Sequence, residues 1–440
     1  ICFAAATEEH KAVYYTTLAE PHNKLVRFLE GFEFFDTDAI EKRVEYINLA
    51  DLLLEEDTAG DGPLGPLITE IVRTCFERKP RVVVIDGAKA LRDFVDPVEL
   101  RKVLYDLAGK VAHSESVVLL LGEYSADELE TSAEFSLADG IVQLAYVPHE
   151  PIDRRWLRVL KLRGSNHLAG RHSLHIGDEG MYVHPRLESL TLENAVLNDG
   201  RVSTGNLELD EMMGGGIPAG DVTALVGPSG SGKTAAALRF VAQGIEDGER
   251  CLFVSFQEDP GQLVRKAASF GWDLAAAQKS GQLEIHHTPQ GHLDLDVLGN
   301  DVRTALRDGS IRRVAIDSLA ELVYSARESE RFPAYSRMLT GFLRAGGATS
   351  VITSEVATLG PMTAPVGGLS FLFHNIVLLR YVELESEVRR AVAVLKMRDS
   401  NHDKGVRQYE ITSKGMVLGE KLEDLTGLLG WSALRARQEP

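Results

Sequence analysis

Val222-Thr-Ala-Leu-Val226 runs into Gly227-Pro-Ser-Gly-Ser-Gly-Lys-Thr234 and then into Ala235-Ala-Ala-Leu238. An apolar β-rich run, a glycine-rich loop and a helix-forming run follow one another without a break. The loop fits the pattern G-x-x-x-x-G-K-[ST] in full. Such a loop lets backbone amides converge on phosphate oxygens, and the helix N-terminus adds a positive dipole end. The expected cradle is Ser229, Gly230, Ser231, Gly232, Lys233 and Thr234. Lys233 would reach the β- and γ-phosphates, and the Thr234 hydroxyl would hold Mg²⁺. ATP and Mg²⁺ are therefore the expected ligands.

Outward from the loop, short apolar runs alternate with amphipathic segments. Strands are expected at Val222–Val226, Cys251–Ser255, Val314–Ile316, Thr349–Thr353 and Asn375–Tyr381, and helices at Lys233–Asp247, Gly261–Phe270, Leu293–Asp308 and Glu330–Ala345. Strand–helix alternation predicts an α/β fold, a mostly parallel sheet with flanking helices.

The pattern occurs twice. Arg158–Val183 aligns without gaps to Ala393–Leu418 at an offset of 235 residues. Lys161, Arg163, Ser165, Asn166 and His167 recur as Lys396, Arg398, Ser400, Asn401 and His402. Asp86 matches Asp317 at 231, and Glu20, which ends the run from Val13, matches Glu258, which ends the run from Leu252, at 238. A period this long is a duplicated domain. We divide the chain at a polar stretch near Pro185 to Ser203, giving domains 1–195 and 196–440. At the 238 offset Ile1 falls opposite Arg239, inside the helix after the phosphate loop, so the first copy lacks its loop. A truncated N-terminus is the expectation, a degenerate first domain the alternative.

Several residues near the loop suit phosphoryl chemistry. Asp317 ends an apolar run and is either the carboxylate that completes the Mg²⁺ site or a turn residue; Asp86 holds the same place in the first copy. Glu258, matched by Glu20, is either a water-activating carboxylate or a cap of the helix beginning near Gly261. Gln257 and Ala19 before them are incapable of base chemistry. Lys396 and Arg398, like Lys161 and Arg163, are two apart on predicted strands and point to one face. They would clamp a transferring phosphate, or decorate a solvated edge strand.

With Thr204-Gly205, Leu209-Asp-Glu211, Gly214-Gly-Gly-Ile-Pro218, Ser255-Phe-Gln-Glu-Asp-Pro260, Arg380-Tyr-Val-Glu383 and Lys396-Met-Arg-Asp-Ser-Asn-His-Asp-Lys404 added, the chain resembles the KaiC family of tandem RecA-like ATPases. The resemblance implies two RecA-like phosphate-loop domains and a homo-hexameric ring with ATP bound between subunits. It implies that Phe270 lies against adenine. It implies that Arg390, Lys396, Met397, Arg398, His402 and Lys404 reach ATP from the neighbouring subunit, with Lys161, Leu162, Arg163, Ser165, His167 and Asp178 doing so in the first copy. Glu258, Lys233, Arg398 and Lys396 are the catalytic candidates; Thr234 and Asp317 would hold the metal. The family's clock proteins carry paired glutamates where this chain has Gln257-Glu258, and adjacent Ser and Thr acceptors where it has Ser370-Phe371. Hydrolysis is therefore expected to be slow or to rest on the second carboxylate, and only Ser370 remains for serine/threonine autokinase activity.

Bulk properties narrow the partners. The net charge of −18 argues against non-specific nucleic-acid binding, although a local basic groove is compatible with it. The competing reading, a RecA-like DNA recombination ATPase, lacks a recognisable DNA-binding module. No apolar run reaches the roughly 18 residues of a membrane span. Cys2, Cys75 and Cys251 lie far apart, as unpaired thiols in a reducing cytoplasm would. The expected role is a cytoplasmic regulatory ATPase with an unidentified signalling partner.

Overall fold

The computed structural model describes the 440-residue chain apart from residues 17–21, 41, 50–63, 126, 149–151, 193, 195–198, 326–329, 357–369, 385, 399, 423–424, 427–433 and 436–440. The chain folds into two units, Ile1–Tyr146 with Arg155–Val183, and Val147–Arg154 with His184–Pro440.

In the first unit, β1 (Ala12–Thr16), β2 (Val44–Asn48), β3 (Val82–Asp86) and β4 (Val117–Leu120) form a parallel sheet in the order β2-β1-β3-β4. A second sheet runs β5-β6-β7-β8, with β5 Gly140–Val147, β6 Arg154–Leu162, β7 His172–Gly177 and β8 Gly180–His184. In the second unit β9 (Arg201–Val202) and β10 (Ile217–Pro218) form a small ribbon. The main sheet comprises β11 (Val222–Gly227), β12 (Arg250–Ser255), β13 (Leu283–His287), β14 (Ile311–Asp317), β15 (Thr349–Glu355), β16 (Asn375–Leu384), β17 (Glu387–Met397), β18 (Arg407–Thr412) and β19 (Gly415–Lys421). Its order is β13-β12-β14-β15-β11-β16-β17-β18-β19. The six strands from β13 to β16 are parallel, and the last three are added antiparallel.

The two units share one plan. β4 and β5 stand where β15 and β16 stand in the second unit, but in separate sheets. The place between them, filled by β11 in the second unit, holds no strand among the described residues.

The apolar runs build a covered sheet because alternate side chains feed opposite faces. Val254, Ile316 and Ile352 join Leu298, Tyr335 and Leu339 in one core. Phe253, Ala315 and Val351 join Leu238, Val241 and Leu263 in the other. Helices Leu295–Ala305 and Phe332–Ala345 thus cover one face, and helices Lys233–Glu246 and Pro260–Ser269 the other. This mixed α/β architecture of tandem RecA-like repeats agrees with the expectation. β17 lies between β16 and β18, and its register with β18 covers Arg390–Val392, short of Lys396.

Candidate functional site

β11 is buried along its whole length and delivers its C-terminal end to the phosphate loop. Gly230 and Gly232 take the left-handed region at φ 74° and 90°. Only glycine does this without strain, and a side chain would also have to displace a neighbour. A Cβ on Gly232 would lie 2.6 Å from Cδ1 of Ile411. The loop then feeds helix Lys233–Glu246, whose first turn has no side-chain cap. Its leading amides are therefore unclaimed by a capping side chain, as an anion site requires. The Lys233 ammonium donates 2.9 Å to the Pro228 carbonyl, and the Ser231 hydroxyl donates to the same oxygen at 2.8 Å. Burial lowers the Lys233 pKa, while Glu355 and Asp317 pull it upward.

The sheet order brings the oxygens together. β15 lies between β11 and β14, so their C-terminal ends meet beside the loop, where parallel α/β sheets bind ligands. The Thr234 hydroxyl donates to Oδ2 of Asp317 at 2.6 Å, and Thr353 at the end of β15 donates to the other carboxylate oxygen. Glu355 stands in register with Gly227 across β11 and β15. In the first unit Asp86 accepts instead from the Tyr14 phenol, at 2.5 Å.

A second contact surface comes from the antiparallel strands. The Tyr409 hydroxyl, on β18, donates to the Ser231 carbonyl at 2.6 Å, and Tyr381, on β16, donates to the Ser229 carbonyl at 3.3 Å. The Arg390 guanidinium sits 5.7 Å from the centroid of the Tyr381 ring, and Arg390 stands opposite Tyr409 across β17 and β18.

Other candidates lie elsewhere. Glu258 ion-pairs with Lys266 of helix Pro260–Ser269, while the neighbouring Gln257 amide donates to Glu321 at 2.7 Å. Phe270 stacks on Trp272, with centroids 4.8 Å apart. Lys396 donates to the carbonyls of Ser370 and Phe373 at 2.8 and 2.7 Å, and Arg398, just past β17, donates to Phe371 at 2.9 Å. Within one chain these two cations therefore cap the turn Ser370–Leu372 rather than meet the phosphate loop. Met397 is buried in the core. His402 is half-buried and Lys404 exposed in the link from β17 to β18.

The first unit repeats the capping. Lys161 donates to Phe135 and Ser136 carbonyls at 3.3 and 3.2 Å, and Arg163 pairs with Asp139 at 3.2 Å. The Ser165 hydroxyl donates to the Asn166 carbonyl and the His167 amide to the Asn166 side chain. Leu162 and Asp178 are exposed. Glu20 and Ala19 lie outside the described residues.

Thr353, Glu355, Tyr381, Tyr409 and Glu321 were not singled out from sequence. Each lies on a strand or helix remote in the chain from the loop, and only sheet order unites them. The position of Glu321, one helical turn past Asp317, is the single local signal.

A family model described as "ATPase: KaiC" matches this chain twice, over residues 2–188 and 202–423. The chain is 28% identical over 433 residues to the circadian clock protein KaiC3 of Synechocystis sp., covering 96% of this chain and 85% of that protein. It is 30% identical over 386 residues to the circadian clock oscillator protein KaiC of Thermostichus vulcanus, covering 86% and 74% respectively, and equally similar to that of Thermosynechococcus vestitus. Two matches that together span most of the chain, the second enclosing an intact phosphate loop with its Thr234–Asp317 pair, place the chain in the KaiC family of ATPases, as an ATP-binding ATPase built of tandem RecA-like domains.

Proposed function

We propose that the chain is a regulatory ATPase that hydrolyses Mg²⁺-ATP in a head-to-tail ring, most simply a hexamer, each site being completed by the neighbouring subunit. The observation that carries hydrolysis is the hydrogen bond from Thr234 to Asp317 beside the loop. Its donor set of hydroxyl and carboxylate oxygen suits a hard divalent cation. Thr234 and Asp317 would hold Mg²⁺, which neutralises phosphate charge when bound. Lys233 would move from the Pro228 carbonyl to the β- and γ-phosphates. The amides of Ser229 to Thr234 would orient the triphosphate, and Phe270, beside Trp272, would lie against adenine.

The ring reading rests on the cations. Lys396, Arg398, His402 and Lys404, with Arg390 and Met397, lie along β17 and its link to β18, and Lys396 and Arg398 contact carbonyls outside their own phosphate loop. From a neighbour they would stabilise charge on the transferring phosphate. Lys161, Leu162, Arg163, Ser165, His167 and Asp178 would serve the first domain likewise. The names of the relatives, clock proteins, favour a signalling output read by a protein partner. Unpaired Cys75 and Cys251, both buried, suit a cytoplasmic protein. Ser370 is the candidate acceptor for autokinase activity, since it begins the turn that Lys396 caps.

Lys233→Ala tests the core of the proposal. It should abolish ATP binding in an equilibrium titration and turnover with it; wild-type affinity would overturn the assignment. Sedimentation with and without ATP tests the ring, and phosphopeptide mass spectrometry of wild type against Ser370→Ala tests the kinase reading.

A further inference from the structure

We infer that Gln257 positions the attacking water, and that Glu321 holds its amide in the orientation this requires. The inference rests on ATP hydrolysis at this loop and not on the ring.

Gln257 lies two residues past the end of β12, and Glu321 four residues past Asp317 at the end of β14. These strands are parallel neighbours, with Ser255 in register with Asp317. Both side chains thus emerge at the sheet edge where Asp317 receives the Thr234 hydroxyl. The Gln257 Nε2 donates 2.7 Å to Oε1 of Glu321. Glu321 is 5% exposed, on the first turn of helix Leu319–Ser325, where its amide bonds back to the Ser318 carbonyl. Gln257 is exposed.

An ionised carboxylate only accepts hydrogen bonds. Glu321 therefore selects one of the two amide orientations: Nε2 toward itself, Oε1 outward. An outward carbonyl oxygen can accept one O–H of a water and aim the water's lone pair at the γ-phosphorus. Glutamine fills that role in other phosphate-loop NTPases. The amide takes no proton. The water oxygen bonds to phosphorus, the bond to the β-phosphate oxygen breaks with its electron pair going to ADP, and the water proton leaves with phosphate or solvent. A solitary exposed glutamine would lose rotamer freedom on each turnover; anchoring it to a buried carboxylate removes that cost beforehand. Glu258, the carboxylate expected from sequence, is engaged by Lys266 instead.

The test uses the full chain. Gln257→Ala should lower kcat about tenfold or more with ATP KM unchanged, since the interaction exists only in the transition state. Glu321→Gln permits either amide orientation and should lower kcat as well. The double variant should be no slower than Gln257→Ala, because the two act as a unit. Gln257→Glu sets two carboxylates against each other, so the pair shares a proton and the pH–rate profile gains a limb above the ordinary carboxylate range. Unchanged kcat in Gln257→Ala, or additive losses in the double variant, would overturn the inference, as would Glu258→Gln alone abolishing turnover. Should Glu321→Gln fail to fold, judged by its melting curve, Gln257→Ala and Gln257→Glu decide on an exposed position. Lys233→Ala run alongside separates the cases: wild-type turnover there sinks the ATPase assignment itself, while a dead Lys233→Ala beside an active Gln257→Ala sinks only this inference.

Discussion

Tyr409 shows how a single atom shapes the phosphate loop. Its hydroxyl is the bond that fixes the Ser231 carbonyl, and the ring is 1% exposed. With that carbonyl turned toward β18, the neighbouring amides are left to face a ligand. Tyr409→Phe keeps the ring's packing and removes one buried hydrogen bond, worth about 1 kcal/mol net. Much of that loss should appear in the loop's geometry, so ATP affinity should fall roughly 3- to 10-fold while kcat changes less. A nucleotide titration beside steady-state kinetics checks this; equal affinity in both proteins would mean that the loop holds its shape without Tyr409. Lys233 and Thr234 were legible in the sequence because their motif is contiguous and each position has a steric or charge reason. Tyr409 and Thr353 were not, because alternation along a strand marks a residue as buried without revealing which loop it meets.

At the scale of elements, β14 carries a feature that its own repeat conceals. At the offset that sets Asp86 opposite Asp317, Arg313 stands where the first copy has Val82, and both are buried, at 1% and 4% exposed. A valine can be buried there without partners, whereas a guanidinium needs its charge and N–H groups met. Arg313 donates to the Ser203 and Phe240 carbonyls at 2.7 and 3.1 Å, and it pairs with Asp247 at 2.6 Å and with Glu249. Phe240 belongs to helix Lys233–Glu246, the helix that begins at the phosphate loop. The guanidinium thus ties that helix's C-terminal end to β14, whose far end presents Asp317. Arg313→Met should destabilise the second unit by about 2–4 kcal/mol, since it strands buried carbonyls and unpairs two carboxylates. Because both carboxylates are partly exposed, water recovers some of the loss, which holds the cost to that range. Denaturant unfolding measures it, and a change under 1 kcal/mol would show that helix and strand are held by packing alone. Element types were otherwise readable: each predicted strand and helix of the second copy is present, with ends within a few residues. What periodicity could not supply was sheet order. It therefore left β17 open as an edge strand, although two further strands lie beyond it.

For the whole molecule, the question is which subunit's cations serve which phosphate loop. β18 separates β17 from the edge strand β19, and β16 separates it from the loop strand β11. In one chain Lys396 and Arg398 cap the carbonyls of Ser370, Phe371 and Phe373. A head-to-tail contact would present this region to a neighbour's loop, and such heterologous contacts close into a ring when the rotation permits. On this proposal Arg398→Ala removes charge stabilisation from the adjacent site. Turnover should fall by about 10²-fold or more, with ATP still bound. Mixing separates this from a local effect. Lys233→Ala supplies intact cations and a dead loop, while Arg398→Ala supplies an intact loop and no guanidinium. In co-assembled rings some interfaces pair the intact loop of one subunit with the intact cations of the next, so part of the lost activity should return. If Arg398 matters only as the cap of its own Phe371 carbonyl, every intact loop sits in a chain with a disrupted turn, and mixing restores nothing. Recovery as a function of mixing ratio, with co-assembly verified by differently tagged subunits, distinguishes the two arrangements.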